Sequence, residues 1–199
     1  MSDNYLNQVV SELESLMNIL KDFPDAEKKK IVGMARVMAD AIGRGRVVFT
    51  AGNGGSAADA MHIAGELVGR FRRKKIKGYK AFALTVNSSV VTALANDFSY
   101  DDVFSKQLES MGSEGDVLLV LSTSGNSPNA VKAVEMADSL GMVSLAFTGG
   151  DGGRLAVISD KSLTVPHQDF ARIQEVHMIA GHILCGLVED MLVNGNVIK

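Results

Sequence analysis

The chain has 199 residues, 46% of them hydrophobic, with a formal net charge of -3. That length suits one domain with a substantial core, and the composition excludes a disordered chain. The charge offers nucleic acid no general basic field, and a single cysteine, Cys185, excludes an internal disulfide.

Leu6, Val9, Val10, Leu13, Leu16, Met17 and Leu20 recur at helical spacing, and Pro24 separates them from a second amphipathic helix over 26–42. Two helices ahead of any strand must cover a later sheet, each other or a second subunit. The width of the apolar stripe favours a subunit interface for part of it. The chain therefore reads as a single domain, 1–199, with oligomerisation helices over 1–45 and an α/β core with a final helix over 46–192. The N-terminus carries acidic residues and no continuous apolar stretch, so no signal peptide is expected. No uninterrupted apolar run approaches the about 18 residues of a membrane span, and a cytoplasmic location is expected by default.

The stretch from Arg46 to Arg70 is the one around which the rest of the chain is organised. Val47-Val48-Phe49-Thr50 is short and β-branched, the pattern of a buried strand. Gly52-Asn53-Gly54-Gly55 breaks it, and Ser56 can cap the next helix. Glycines at a strand-to-helix turn let backbone N–H groups approach an anion at the positive end of the helix dipole. On that helix His62 and Glu66 are four residues apart and share a face, where they can hold a metal or flank a substrate. The basic run 70–80 reads mainly as a solvated loop. Next come a short strand over 81–84, a turn over 85–89, a helix over 90–95, a polar loop holding Asn96-Asp97-Phe98, and a helix over 103–111. Residues 116–121 form a buried strand that runs into Ser122-Thr123-Ser124-Gly125-Asn126-Ser127-Pro128, with Ser127 as N-cap and Pro128 as first helical residue. A fourth strand over 142–148, a glycine-rich loop over 149–153, a fifth strand over 162–165 and a long helix over 173–192 complete the chain. Strands alternating with helices predict an α/β fold whose five-stranded parallel sheet is covered on both faces, with ligands beyond the carboxyl ends of the strands.

The hydroxyls of Ser122, Thr123, Ser124 and Ser127 exceed what a turn requires, and with free N–H groups they suit a phosphate monoester. The loop lacks a Walker lysine, and no acidic residue stands where a dinucleotide ribose would need one. Ordinary turn and capping chemistry explains either loop alone. Together they favour a small phosphorylated ligand. The last helix adds Gln174, Glu175, His177 and His182. By helical angle Glu175 shares a face with His182, whereas Gln174 lies about 80° off.

GNGGSAADAMHIAGE, AND at 95–97, STSGNS and ARIQEVHMIAGH resemble the sugar isomerase (SIS) superfamily, and within it the bacterial phosphoheptose isomerases, over nearly the whole chain. The resemblance implies a single SIS domain and a cytoplasmic homotetramer with sites at subunit interfaces. It implies one zinc per subunit on His62, Glu66, Gln174 and His182, in preference to Glu175. Substrate contacts fall on Asn53, Gly54, Gly55, Ser56, Glu66, Arg70, Asn96, Asp97, Ser122, Thr123, Ser124, Ser127 and Gln174. Glu66 would be the catalytic base and His182 the acid in aldose–ketose isomerisation of a heptose phosphate that serves surface-glycan synthesis. Partners are the sugar phosphate and further copies of the chain, with no nucleic acid and no membrane. The alternative is a non-catalytic SIS scaffold that binds the replication initiator protein; it resembles the enzymes without their metal-binding acidic and histidine residues, so Glu66 and His182 favour the enzyme. A sugar-phosphate sensor without turnover is a third reading.

Overall fold

Burial on both faces is what makes the apolar run after Arg46 a central strand. The computed structural model describes residues 2–69, 71–72 and 78–194. In it β1 (Val48–Gly52) lies between β2 (Ala81–Ala83) and β3 (Val117–Ser122), with β4 (Val143–Gly149) and β5 (Lys161–Val165) continuing beyond β3. All pairings are parallel, and Thr50 stands opposite both Ala83 and Leu119. The order β2-β1-β3-β4-β5 reverses direction between β1 and β3, and that reversal opens a crevice at their carboxyl ends.

Helices α1 (Ser2–Lys21), α2 (Asp25–Gly43), α3 (Gly55–Val68) and α8 (Phe170–Val193) cover one face. The other face carries α4 (Ser88–Asp97), α5 (Ser105–Met111), α6 (Pro128–Ser139) and α7 (Gly153–Ile158). Alternation along β3 divides the two cores: Val117, Leu119 and Leu121 join the first, Leu118 and Val120 the second. The exposed edge of β5 is partly satisfied by α2, since Thr164 N–H donates to Glu27 Oε2 at 2.9 Å.

The two N-terminal helices differ. Ile31, Met34, Ala35 and Met38 of α2 are buried in the first core, so α2 is a layer of the domain. In α1, Leu16, Ile19 and Leu20 pack on the core, while Tyr5, Leu6, Val9, Leu13 and Met17 stay exposed. Helix α8 contains an 18-residue window of hydropathy 1.5, enough by length and composition for a membrane span. Half of that window is buried against the domain, as in a core helix. Gln174, Glu175, His177 and His182 interrupt the helix, so it is not a continuous apolar run, and the aliphatic residues between them keep its average high.

The structure departs from the local expectations at three points. Helix α3 begins at Gly55 with Gly54 as its N-cap, so Ser56 is a buried helical residue and not the cap. Asn96 and Asp97 are the last residues of α4 and not a loop. Helix α7 follows the glycine-rich loop that reads as unstructured, because Gly152 and Gly153 take positive φ and turn the chain back onto β4 and β5.

Candidate active site

The loops after β1 and β3 meet at the crevice. Gly54, at φ 55°, supplies the left-handed turn into α3, a conformation that only glycine adopts without strain. Gly55 has no side chain because the amide of Gln174 packs against it, where a Cβ would stand. Asn53 and Asn129 exchange paired amide hydrogen bonds of 2.8 and 2.9 Å, joining the start of α3 to the first turn of α6. Tyr100 Oη–H donates to Asn53 Oδ1 at 3.0 Å, tying the segment after α4 to the same point. Asn96 Nδ2 donates to Asp97 Oδ1 at 2.9 Å, and both are exposed at the end of α4.

In the β3–α6 loop Ser122 Oγ lies 3.1 Å from Ser127 Oγ and 3.4 Å from Ser124 Oγ. Ser127 is the N-cap of α6 and Pro128 its first residue, as expected, but its hydroxyl makes no capping hydrogen bond. It turns to Ser122 instead. Neither α3 nor α6 has an acidic residue in its first turn, so the positive ends of both dipoles face the crevice uncompensated. Thr123 and Ser124 also line a cavity of about 280 Å³ with Gly149, Gly150, Asp151, His167 and Gln168. Those last five residues, with Asn129 and Tyr100, were not expected at the site. The glycine-rich loop after β4 also leaves a carboxyl strand end, which was the available signal.

The second group lies farther along α3. His62 Nε2 and His182 Nε2 are 2.9 Å apart, and His62 Nε2 is 3.3 Å from Glu66 Oε1. A donor atom from each of these three residues lies within 4.8 Å of the others. Metal–ligand bonds of 2.0–2.1 Å in a tetrahedron set neighbouring donors about 3.3 Å apart, so this geometry and donor set fit a divalent metal such as zinc. The rings of His62 and His182 meet edge to face, with centroids 5.0 Å apart. Helices α3 and α8 run in the same direction here, since Gly55 meets Gln174, Ile63 meets Gly181, and His62 meets His182. Eight residues of α8, about 12 Å of rise, thus separate Gln174 from His182. Within the protomer Gln174 stands beside Gly55 at the start of α3 and is not brought to the three converging donors. Glu175, the helical-angle alternative, is engaged by Arg172 at 2.6 Å. Arg70 and residues 73–77 of the basic run lie outside the described residues.

Two buried groups flank the site. Asp59, one turn before His62, is 6% exposed and its Oδ2 has no hydrogen-bond partner. Burial raises its carboxyl to about 6, against the opposing pull of His62. His177 is fully buried beneath β4, its Nε2 2.9 Å from the Thr148 carbonyl, and burial lowers it to about 4. It is therefore neutral at pH 7, with Nε2–H donating to Thr148.

The SIS domain family model matches residues 13–149. A phosphoheptose isomerase of Clostridium acetobutylicum is 44% identical over 185 residues, 93% of this chain and 93% of that protein. One from Geotalea daltonii is 41% identical over 187 residues, 94% of this chain and 97% of that protein. The solved structure of phosphoheptose isomerase GmhA from Neisseria gonorrhoeae aligns with a TM-score of 0.88 at 36% identity, covering 94% of this chain and 99% of that one. That of a phosphoheptose isomerase from Francisella tularensis aligns at 0.89 and 34%, covering 94% and 98%.

Proposed function

The chain belongs to the SIS-domain family and, within it, to the phosphoheptose isomerases, and from that premise we propose that it converts sedoheptulose 7-phosphate to D-glycero-D-manno-heptose 7-phosphate. The observation that carries this reading is the convergence of Glu66 and His182, from separate helices, beside His62. The phosphate binds at the starts of α3 and α6, through backbone N–H groups at Gly54, Gly55 and Ser56 and the hydroxyls of Ser122, Thr123, Ser124 and Ser127. Asn53 and the Asn96–Asp97 pair meet sugar hydroxyls. From Gly55 to His62 the axial rise is about 10 Å. An extended seven-carbon chain spans about 8 Å, so a heptose held by its 7-phosphate can present C1 and C2 to Glu66 and His182.

Glu66 takes the carbon-bound proton from C1, and the electron pair moves to form the enediol. His182 protonates C2, while the O1 hydroxyl proton passes to O2 and leaves the aldehyde at C1. The two side chains then exchange their protons with solvent, which reaches both. His62, Glu66 and His182 would hold the metal in the resting site, Glu66 and His182 being released from it to move protons once substrate is bound, and zinc there would supply polarisation of the sugar carbonyl and its neighbouring hydroxyl. Gln174 meets the substrate from the phosphate end. Its part as a fourth metal ligand belongs to a homotetramer whose sites are shared between subunits. Arg70 reaches the sugar phosphate in the same assembly. The exposed apolar residues of α1 support that oligomer. The enzyme works in the cytoplasm, and its product enters ADP-heptose synthesis for lipopolysaccharide core or another surface glycan.

The test is turnover of sedoheptulose 7-phosphate by purified protein before and after chelation, with metal content read on the same sample. Loss on chelation and recovery with zinc supports the reading. Absent turnover in metal-replete protein refutes this substrate.

A further inference from the structure

The chain leaving α3 returns at once to α8, beside the residue assigned as acid. Phe71 stacks on the His182 ring with centroids 5.8 Å apart and planes within 14° of parallel. His62 approaches His182 edge-on, so the imidazole has an aromatic neighbour on its face and another at its rim. Phe71 is itself held. It packs against the first core, and the Arg72 guanidinium lies 5.2 Å from its ring centre. Arg72 N–H donates to Oε2 of Glu189, a residue only 1% exposed, at 3.1 Å. Gly186 leaves the room: a Cβ there would stand 3.5 Å from Phe71 Cε1 and 3.3 Å from Arg72 Nη1. His182, Gly186 and Glu189 follow at i, i+4 and i+7, one stripe of α8 facing this segment.

We propose that Phe71 is a positioning residue for His182, locked in place by Glu189 through the Arg72 N–H. The proposal rests on His182 acting as the acid of the isomerisation. An imidazole on a helix has two free side-chain torsions, and only a narrow range of them aims Nε2 at the His62 and Glu66 donors. A stacked ring removes the alternatives by occupying the space into which the imidazole would rotate, and it gains an aromatic contact in doing so. A proton-transfer group turned away from its reacting atom loses rate and not substrate affinity, because the phosphate is held at the other end of α3.

The test compares Phe71→Leu, Phe71→Tyr, Glu189→Ala and Glu189→Gln. Leucine keeps the apolar bulk without the flat face, and it should lower kcat about tenfold or more while KM stays within about twofold. Tyrosine restores the stack and should restore kcat. Glu189→Ala should reproduce the kcat loss, and Glu189→Gln, which keeps an acceptor for Arg72 N–H, should not. The second readout is the ring-proton NMR signal of His182, which the Phe71 ring shifts; Phe71→Leu should move it by removing the ring, and Phe71→Tyr should keep it. Full kcat in Phe71→Leu, or a His182 signal that does not move in it, overturns the assignment. The NMR readout needs no turnover. A wild-type protein inactive on the sugar phosphate overturns the isomerase reading alone, while an unmoved signal overturns this one.

Discussion

Asp59 and His177 are buried groups whose titrations oppose each other, and Asp59→Asn should separate them. Burial raises the Asp59 carboxyl from 3.8 to about 6. Between those values the native state binds one proton more than the unfolded chain, so this contribution is fully present below 3.8 and is lost as pH rises through 6. The whole shift corresponds to about 3 kcal/mol. A cavity of about 500 Å³ lies against Asp59, so the carboxyl is not sealed off, and solvent screening reduces the contribution to about 2 kcal/mol. His177 runs the other way, lowered from 6.5 to about 4. Its native form binds one proton fewer over that interval, so its contribution is present above 6.5 and is lost as pH falls through 4, about 3 kcal/mol in all. In the wild-type protein the two trends largely cancel between these limits. In Asp59→Asn only the His177 trend remains, so the variant should gain on the wild type by about 2 kcal/mol as pH rises from about 4 to about 7. The assay is urea unfolding of both proteins with chelator present, at one protomer concentration, over that pH range. Any constant packing effect of the amide cancels from the trend. A difference that stays level across the range refutes the assignment of Asp59 as a carboxyl raised by burial.

Glu66→Gln removes the proposed base with little change of shape, and kcat should fall by about 10²-fold or more while circular dichroism and oligomeric state are preserved. Ser124→Ala should raise KM for the sugar phosphate more than it lowers kcat, as read by steady-state kinetics, because the role proposed for its hydroxyl is in holding the phosphate and not in proton transfer. Gly125→Ala forces φ 66° on a residue with a Cβ and drives that Cβ against the Gly152 carbonyl. It should lower stability by about 2 kcal/mol or more in urea titration and also raise KM, because the loops after β3 and β4 meet at that contact.

The parallel sheet and the two strand-to-helix loops after β1 and β3 were legible in the sequence because their signals are local. A short apolar run that ends in glycine or hydroxyl residues reads as a buried strand and a turn, and Val48–Gly52 and Val117–Ser122 behaved accordingly. The β3–α6 loop was singled out as a phosphate-binding candidate by its excess of hydroxyls. The His62–Glu66 pair could be read from helical spacing alone; His182 was one of several candidates on the last helix, and only the resemblance singled it out. Element ends were less legible. Whether Ser56 caps or enters α3 depends on the φ that Gly54 takes, and Asn96 and Asp97 belong to α4 because the helix runs on to its cap at Phe98.

Only the tertiary structure decided which of these residues meet. The relative direction and slide of α3 and α8 bring His182 to His62 while Gln174 is held at Gly55, and helical spacing within either segment carries no information on that offset. The Asn53–Asn129 pair joins loops 76 residues apart. Phe71 reads as part of a basic run until the fold lays it on His182. Residue type and spacing along one element therefore determined the chemistry available to this protein. The packing of one element on another, set by side-chain volume and by glycines such as Gly55, Gly181 and Gly186 that permit close approach, determined where that chemistry is assembled.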